Sequence, residues 1–156
     1  MQKMKRMKIM LVDDEERFLL TTKKLLDRKG LDVSTAVSGS EALEKLKTEN
    51  IHVVILDVKM PGMDGIAVLK AIKAQHPLVE VIMLTGHATA ESAVEGLKSG
   101  ATDYLVKPMD IDELVAKAEE AFGKRQALEE KIRKARFDWT KKSPGEILKE
   151  AIKRET

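Results

Sequence analysis

The sequence predicts a three-layer α/β sandwich, a doubly wound parallel sheet of five strands with helices on both faces. Three observations predict it. Short apolar runs alternate five times with segments of helical spacing, as when parallel strands are joined by right-handed crossovers. Apolar residues make up 43% of the chain but aromatics only 3%, so aliphatic side chains must fill the core, as they do on a parallel sheet covered on both faces. At 156 residues the chain can bury one such core and still carry an appendage.

The elements follow in order. Lys8–Val12 is the first strand, cut off by four acids. Phe18, Leu19, Thr22, Leu25 and Leu26 then fall at i, i+1, i+4, i+7 and i+8, one stripe of a first helix that Gly30 stops. Val33–Val37 is the second strand, and a helix from about Ser40 presents Ala42, Leu43 and Leu46. His52–Leu56 is the third. The helix after Gly65 presents Ile66, Leu69 and Ile72 and must end at Pro77. Val79–Leu84 leads into a fourth helix, roughly Thr89 to Lys98, in which Gly96 and Gly100 lower the propensity. Asp103–Val106 is the last strand. A fifth helix starts near Asp110 and buries Ile111, Leu114, Val115, Ala118 and Phe122.

Charge divides the chain. Residues 1–122 carry 17 basic and 20 acidic side chains, whereas residues 123–156 carry 11 and 6. We therefore expect a domain over residues 1–122 and a basic helical tail over 123–156. In the tail, Leu128, Ile132, Ala135 and Trp139 extend the stripe of helix five, with Arg125 interrupting it and Gly123 a candidate kink. Ser143-Pro144-Gly145-Glu146 reads as a capping box with Pro at the first helical position. Ile147, Leu148, Ala151 and Ile152 form the apolar face of that second, short helix. There is no cysteine, which excludes disulfides and thiolate metal sites and fits a reducing compartment. The apolar run Ile9 to Val12 is too short for a signal peptide and nothing approaches a membrane span. The expected location is the cytoplasm.

In open α/β sheets the functional site forms at the carboxyl ends of the strands. Asp13 and Asp14 follow the first strand run, Asp57 the third, Thr85 the fourth and Lys107 the fifth. Taken singly, each has an ordinary explanation: a helix cap, a strand-end hydroxyl, a lysine before a turn. Their joint placement favours function. Three converging carboxylates call for a cation, and an all-oxygen set suits Mg²⁺, or Mn²⁺, better than zinc. The three histidines, His52, His76 and His87, are scattered. Lys107 and Thr85 could meet two oxygens of a phosphoryl group while the metal meets a third. Asp57 stands alone at a strand end and is the natural nucleophile, with Asp13 and Asp14 as metal cradle.

MLVDDE, ILDVKMPGMDG, MLTGHA and DYLVKP occur in that order, each at the end of a strand run. Over about residues 6–122 the chain resembles the receiver domains of bacterial two-component response regulators. TGHATAESAVEGLKSGATDYLVKP most resembles receivers attached to nitrogen-regulation-type transcriptional activators. The resemblance implies a flavodoxin-like sheet of order 2-1-3-4-5. It implies that Asp57 is the phosphoacceptor, Asp14 a direct Mg²⁺ ligand and Asp13 an acidic neighbour acting largely through water. The Lys59 backbone carbonyl would be a further ligand, and Thr85 and Lys107 would bind the phosphoryl oxygens. Tyr104 resembles the family's rotating aromatic, and Gly86 the small residue that lets it swing. Lys59 and His87 would flank the attacking water. The Lys107–Pro108 bond is often cis in such chains.

The implied function is a phosphorylation switch rather than an enzyme acting on external substrates. A sensor histidine kinase or phosphotransfer protein would be the donor, and the face around helices four and five the output. A phosphohydrolase would want its nucleophile after the first strand and a cap domain, and a pure metal-binding adaptor would never be phosphorylated. The tail has three readings. It is a helix that makes a homodimer or packs back on a receiver, a basic arm on nucleic acid, or the start of a longer transcriptional activator whose output domain is absent. Charge alone supports the second, so direct DNA binding is not expected. The downstream effector is not named by the sequence.

Overall fold

The structure, a computed structural model, describes residues 7–60, 63–86, 90–141 and 144–155. Five parallel strands form the main sheet: β1 (Lys8–Val12), β2 (Asp32–Ala36), β3 (Val53–Asp57), β6 (Glu80–Thr85) and β7 (Asp103–Val106). Their order is β2-β1-β3-β6-β7, which is 2-1-3-4-5 when only these five are counted. Between β3 and β6 lies a small addition that periodicity could not show: β4 (Lys59–Met60) pairs antiparallel with β5 (Met63–Asp64). Two-residue strands are too short to carry an alternation.

Side chains alternate across the sheet with period two, and two cores result. Met10, Val12, Val54, Leu56, Val81 and Met83 point to one face. There they meet Ala42 and Leu46 of α2 (Gly39–Leu46) and Val68, Leu69 and Ile72 of α3 (Gly65–Gln75). Ile9, Leu11, Val53, Ile55, Ile82, Leu84 and Leu105 point to the other. They meet Leu19 and Leu26 of α1 (Glu16–Arg28) and Leu114, Ala118 and Ala121 of α5 (Ile111–Lys141). Each fully buried aliphatic side chain of this kind contributes about 1.5–3 kcal/mol relative to exposure.

Local chemistry sets the helix ends. Gly30, at φ +83°, closes α1 in the left-handed conformation that costs glycine least. Ser38 Oγ accepts the Glu41 N–H at 3.1 Å and starts α2. Asp64 Oδ1 accepts the Ile66 N–H at 3.0 Å and starts α3. In α4 (Ala90–Lys98) Gly96 does more than weaken the helix. It lies against the Met83 side chain, where a Cβ would collide.

Residues 1–125 form one compact unit and residues 126–156 another. The division falls inside α5, which runs as one helix of 31 residues. Gly123 does not interrupt it. An exposed glycine costs a helix only about 1 kcal/mol, and Ala121, Lys124 and Arg125 around it are good helix formers. In the second unit α6 (Pro144–Glu155) begins at Pro144, while Ser143 lies outside the described residues. Phe137, Trp139, Leu148 and Ile152 are exposed. Among the described residues no helix is long and apolar enough to cross a membrane.

Candidate functional site

The carboxyl ends of β1, β3, β6 and β7 assemble one acidic pocket. Asp57 and Thr85 are the last residues of their strands, rather than the first residues beyond them. Both are buried, at 6% and 5% exposure. The sheet holds them there, since the Val58 N–H donates to the Leu84 carbonyl at 3.1 Å and the Lys107 N–H to that of Thr85 at 2.8 Å.

Asp13 follows β1 and is 1% exposed. Its N–H donates to the Ala36 carbonyl at 3.1 Å, and its Oδ1 accepts the Glu15 N–H at 2.9 Å. That second bond turns the chain into α1. Asp13 Oδ2 accepts from Lys107 Nζ at 2.6 Å, and the same Nζ stands 3.8 Å from Asp57 Oδ2. Asp14 is exposed at the rim. Ligand oxygens of Asp13, Asp14 and Asp57 lie within 4.8 Å of one another.

Burial alone would lower the Lys107 pKa. The hydrogen bond that Lys107 donates to Asp13, then the charges of Asp13, Asp57 and Glu15, outweigh it, and the amine is held above its ordinary value. The lysine is therefore charged at neutral pH. One ammonium faces three carboxylates, which leaves a formal charge of about −2 in a partly dry pocket. All donors are oxygens and two of the three carboxylates are buried, a set that fits a hard divalent cation.

The structure places the other sequence-named residues as follows. Lys59 opens β4, two residues beyond Asp57. Tyr104 is half-buried and packs on the same core as Met83 and Ala101. Its N–H donates to Asp103 Oδ1 at 2.8 Å. The Lys107–Pro108 bond is cis. His87 lies outside the described residues. His52 Nδ1 accepts the Lys8 N–H at 2.9 Å, at the opposite ends of the strands.

Gly65 is where the pocket's support is tightest. A Cβ there would stand 2.5 Å from Val58 Cα, so an added methyl must move the backbone that carries Asp57. Gly65→Ala is expected to cost about 1–3 kcal/mol in urea unfolding. Gly86 has open space around it, and Gly86→Ala is expected to change stability by less than about 0.5 kcal/mol.

Two residues were not singled out for roles they hold. Phe18 places its ring under Lys107, with Nζ 4.4 Å from the centroid. Nothing in the helical stripe distinguishes that ring from ordinary core. Arg125 is 8% exposed and donates to the Ile51 carbonyl at 2.5 Å. Its position on the stripe of Leu114, Ala118 and Ala121 was the available signal. An arginine on a buried face needs an acceptor at the end of its stem.

Comparison with known proteins decides the family. The response regulator receiver domain matches residues 9–119. The chain belongs to this family. It is 42% identical over 116 residues to the DNA-binding transcriptional regulator NtrC of Klebsiella pneumoniae, covering 74% of this chain and 25% of NtrC. It is 39% identical over 140 residues to the transcriptional regulatory protein ZraR of Escherichia coli, covering 88% of this chain and 32% of ZraR. The chain thus spans about a quarter to a third of the curated relatives it matches. A CheY-like receiver domain protein from Methanospirillum hungatei superposes with a TM-score of 0.74 at 31% identity, over 79% of this chain and 98% of that one. NtrX from Brucella abortus superposes with a TM-score of 0.76 at 32% identity, over 84% of this chain and 30% of NtrX. The chain carries a response regulator receiver domain similar to the receivers of NtrC, ZraR and NtrX.

Proposed function

We propose that this receiver takes a phosphoryl group on Asp57 from a histidine kinase or phosphotransfer protein in the cytoplasm, in a reaction that requires Mg²⁺. One observation supports this above the others: Lys107 reaches Asp13 and Asp57 together across a pocket of three clustered carboxylates. A carboxylate oxygen of Asp57 attacks phosphorus, and the P–N bond to the donor imidazole breaks. The imidazole leaves with the electron pair and takes up a proton from water. Asp57 then holds an acyl phosphate. Asp13 and Asp14, with Asp57 and the Lys59 carbonyl, would hold the cation, which neutralises phosphoryl charge when bound. Lys107 meets one phosphoryl oxygen and Thr85 donates to another. The half-buried Tyr104 follows Thr85 and reports the change at α4, β7 and α5. The protein is a switch, and its only chemistry is its own phosphorylation and dephosphorylation.

The test uses acetyl phosphate and Mg²⁺ with intact mass detection. The chain is expected to gain one phosphoryl mass, lost on mild alkali, and Asp57→Asn to gain none. Uptake by Asp57→Asn would show that the acceptor lies elsewhere.

The lengths of NtrC and ZraR favour a second reading of the output, in which this receiver serves a longer transcriptional activator. Light scattering before and after beryllofluoride separates the two. A shift from monomer to dimer that is lost on deleting residues 126–156 supports an assembly switch within the chain. An unchanged mass supports an output that lies in another domain or partner.

A further inference from the structure

We infer that Phe18 is a positioning residue for phosphorylation, its ring face holding the Lys107 ammonium at the mouth of the acidic pocket. This rests on Asp57 being the phosphoacceptor. The geometry has three contacts around one nitrogen: Asp13 Oδ2 at 2.6 Å, Asp57 Oδ2 at 3.8 Å and the Phe18 ring centroid at 4.4 Å. Lysine is a point charge on a flexible four-carbon stem, so one hydrogen bond leaves it free to swivel. The ring closes off a second side of the ammonium. The remaining N–H direction is left for Asp57 and an incoming phosphoryl oxygen.

A ring suits this task better than another carboxylate. Its attraction for a cation is electrostatic, yet it accepts no strong hydrogen bond and adds no formal charge to a pocket already rich in carboxylates. It holds the ammonium in place without neutralising it. The ring is itself well fixed. Phe18 is half-buried and packs on the core that contains Leu11, Leu19 and Leu114. It lies in the first turn of α1, just beyond the turn in which Asp13 Oδ1 accepts the Glu15 N–H. One short segment, residues 13–18, therefore supplies both holders of Lys107. Such pre-organisation lowers the entropic cost of meeting the phosphoryl group.

The experiment compares the full chain with Phe18→Leu and Phe18→Tyr. Leu keeps apolar volume without a π face, and Tyr keeps the face. With acetyl phosphate and Mg²⁺, Phe18→Leu is expected to be phosphorylated about three- to tenfold more slowly, with Phe18→Tyr staying within about twofold of the parent. The second readout needs no phosphorylation. The Lys107 ε-methylene protons should show an upfield ring-current shift by NMR in the parent and in Phe18→Tyr, and lose it in Phe18→Leu. A merely structural role would lower the unfolding midpoint of Phe18→Leu without moving the phosphorylation rate. Equal rates in the parent and Phe18→Leu would overturn the positioning role, and an unshifted Lys107 in the parent would overturn the contact. If no variant takes up phosphate, the Asp57 reading falls and the positioning role with it, while the ring-current shift still decides the contact.

Discussion

Lys107→Met is expected to destabilise the metal-free chain by about 2 kcal/mol at neutral pH, read by urea unfolding. Removing one partner of a fully buried ion pair costs about 3–5 kcal/mol, because the other charge is left uncompensated. Asp13 is 1% exposed and loses its 2.6 Å partner outright. The lysine side chain is 23% exposed, so water partly replaces it and the cost is smaller. The double variant with Asp13→Asn tests the cause. If an unpaired carboxylate is responsible, Lys107→Met should cost much less in the Asp13→Asn background than in the parent. If the two losses simply add, packing of the lysine stem is responsible instead. The pH dependence has a definite sign. The folded-state pKa of Lys107 lies above its ordinary value. Its contribution is therefore fully present below the unfolded value of about 10.5 and is lost as pH rises through the folded one. Stability in the alkaline range should fall in the parent, and fall less in Lys107→Met. Phosphorylation by acetyl phosphate should drop by about a hundredfold in the variant, the scale for losing one charged group aimed at developing charge.

This pocket was legible in the sequence because the carboxyl-end rule converts chain order into space. Asp13, Asp57, Thr85 and Lys107 are far apart along the chain and carry no shared local pattern. They meet because five strand runs must lie side by side in a parallel sheet. Periodicity found those runs, erring by a residue at the ends of β2, β3 and β6, where capping and register decide the last hydrogen bond. Other features depend on side-chain direction, which spacing does not encode. Phe18 looked like one more member of an apolar stripe, and its ring is also the floor under a lysine 89 positions later. Arg125 looked like an interruption of the α5 stripe, and it is buried because the Ile51 carbonyl receives it. Gly96 looked like a weak point in α4, and it also leaves room for the end of the Met83 side chain, which a Cβ there would displace. For Arg125 and Gly96 the residue type signalled an exception and for Phe18 nothing did, and in all three the partner came from tertiary contacts.

Mg²⁺ is expected to raise the unfolding free energy by about 2.7 kcal/mol at a hundred times its dissociation constant, or roughly 5–10 °C in midpoint for a chain of this size. The reason is electrostatic. Asp13, Asp14 and Asp57 bring ligand oxygens within 4.8 Å of one another, with Lys107 as the cation seen at Asp13 and Asp57. Folding without metal must overcome that repulsion. Two substitutions separate repulsion from ligation. Asp57→Asn removes a buried charge and should stabilise the metal-free chain by about 1 kcal/mol while weakening the response to Mg²⁺. Asp14→Ala removes an exposed carboxylate, so metal-free stability should change by less than about 0.5 kcal/mol while the Mg²⁺ response largely disappears. An undiminished response in Asp14→Ala would remove Asp14 from the ligand set and leave the cation to the two buried carboxylates. Loss of the response in both variants would instead mean that the rim and the floor of the pocket bind one ion together. The same ion would then tie the β1–α1 turn, which leads into the helix that carries Phe18, to the strand end that carries Asp57.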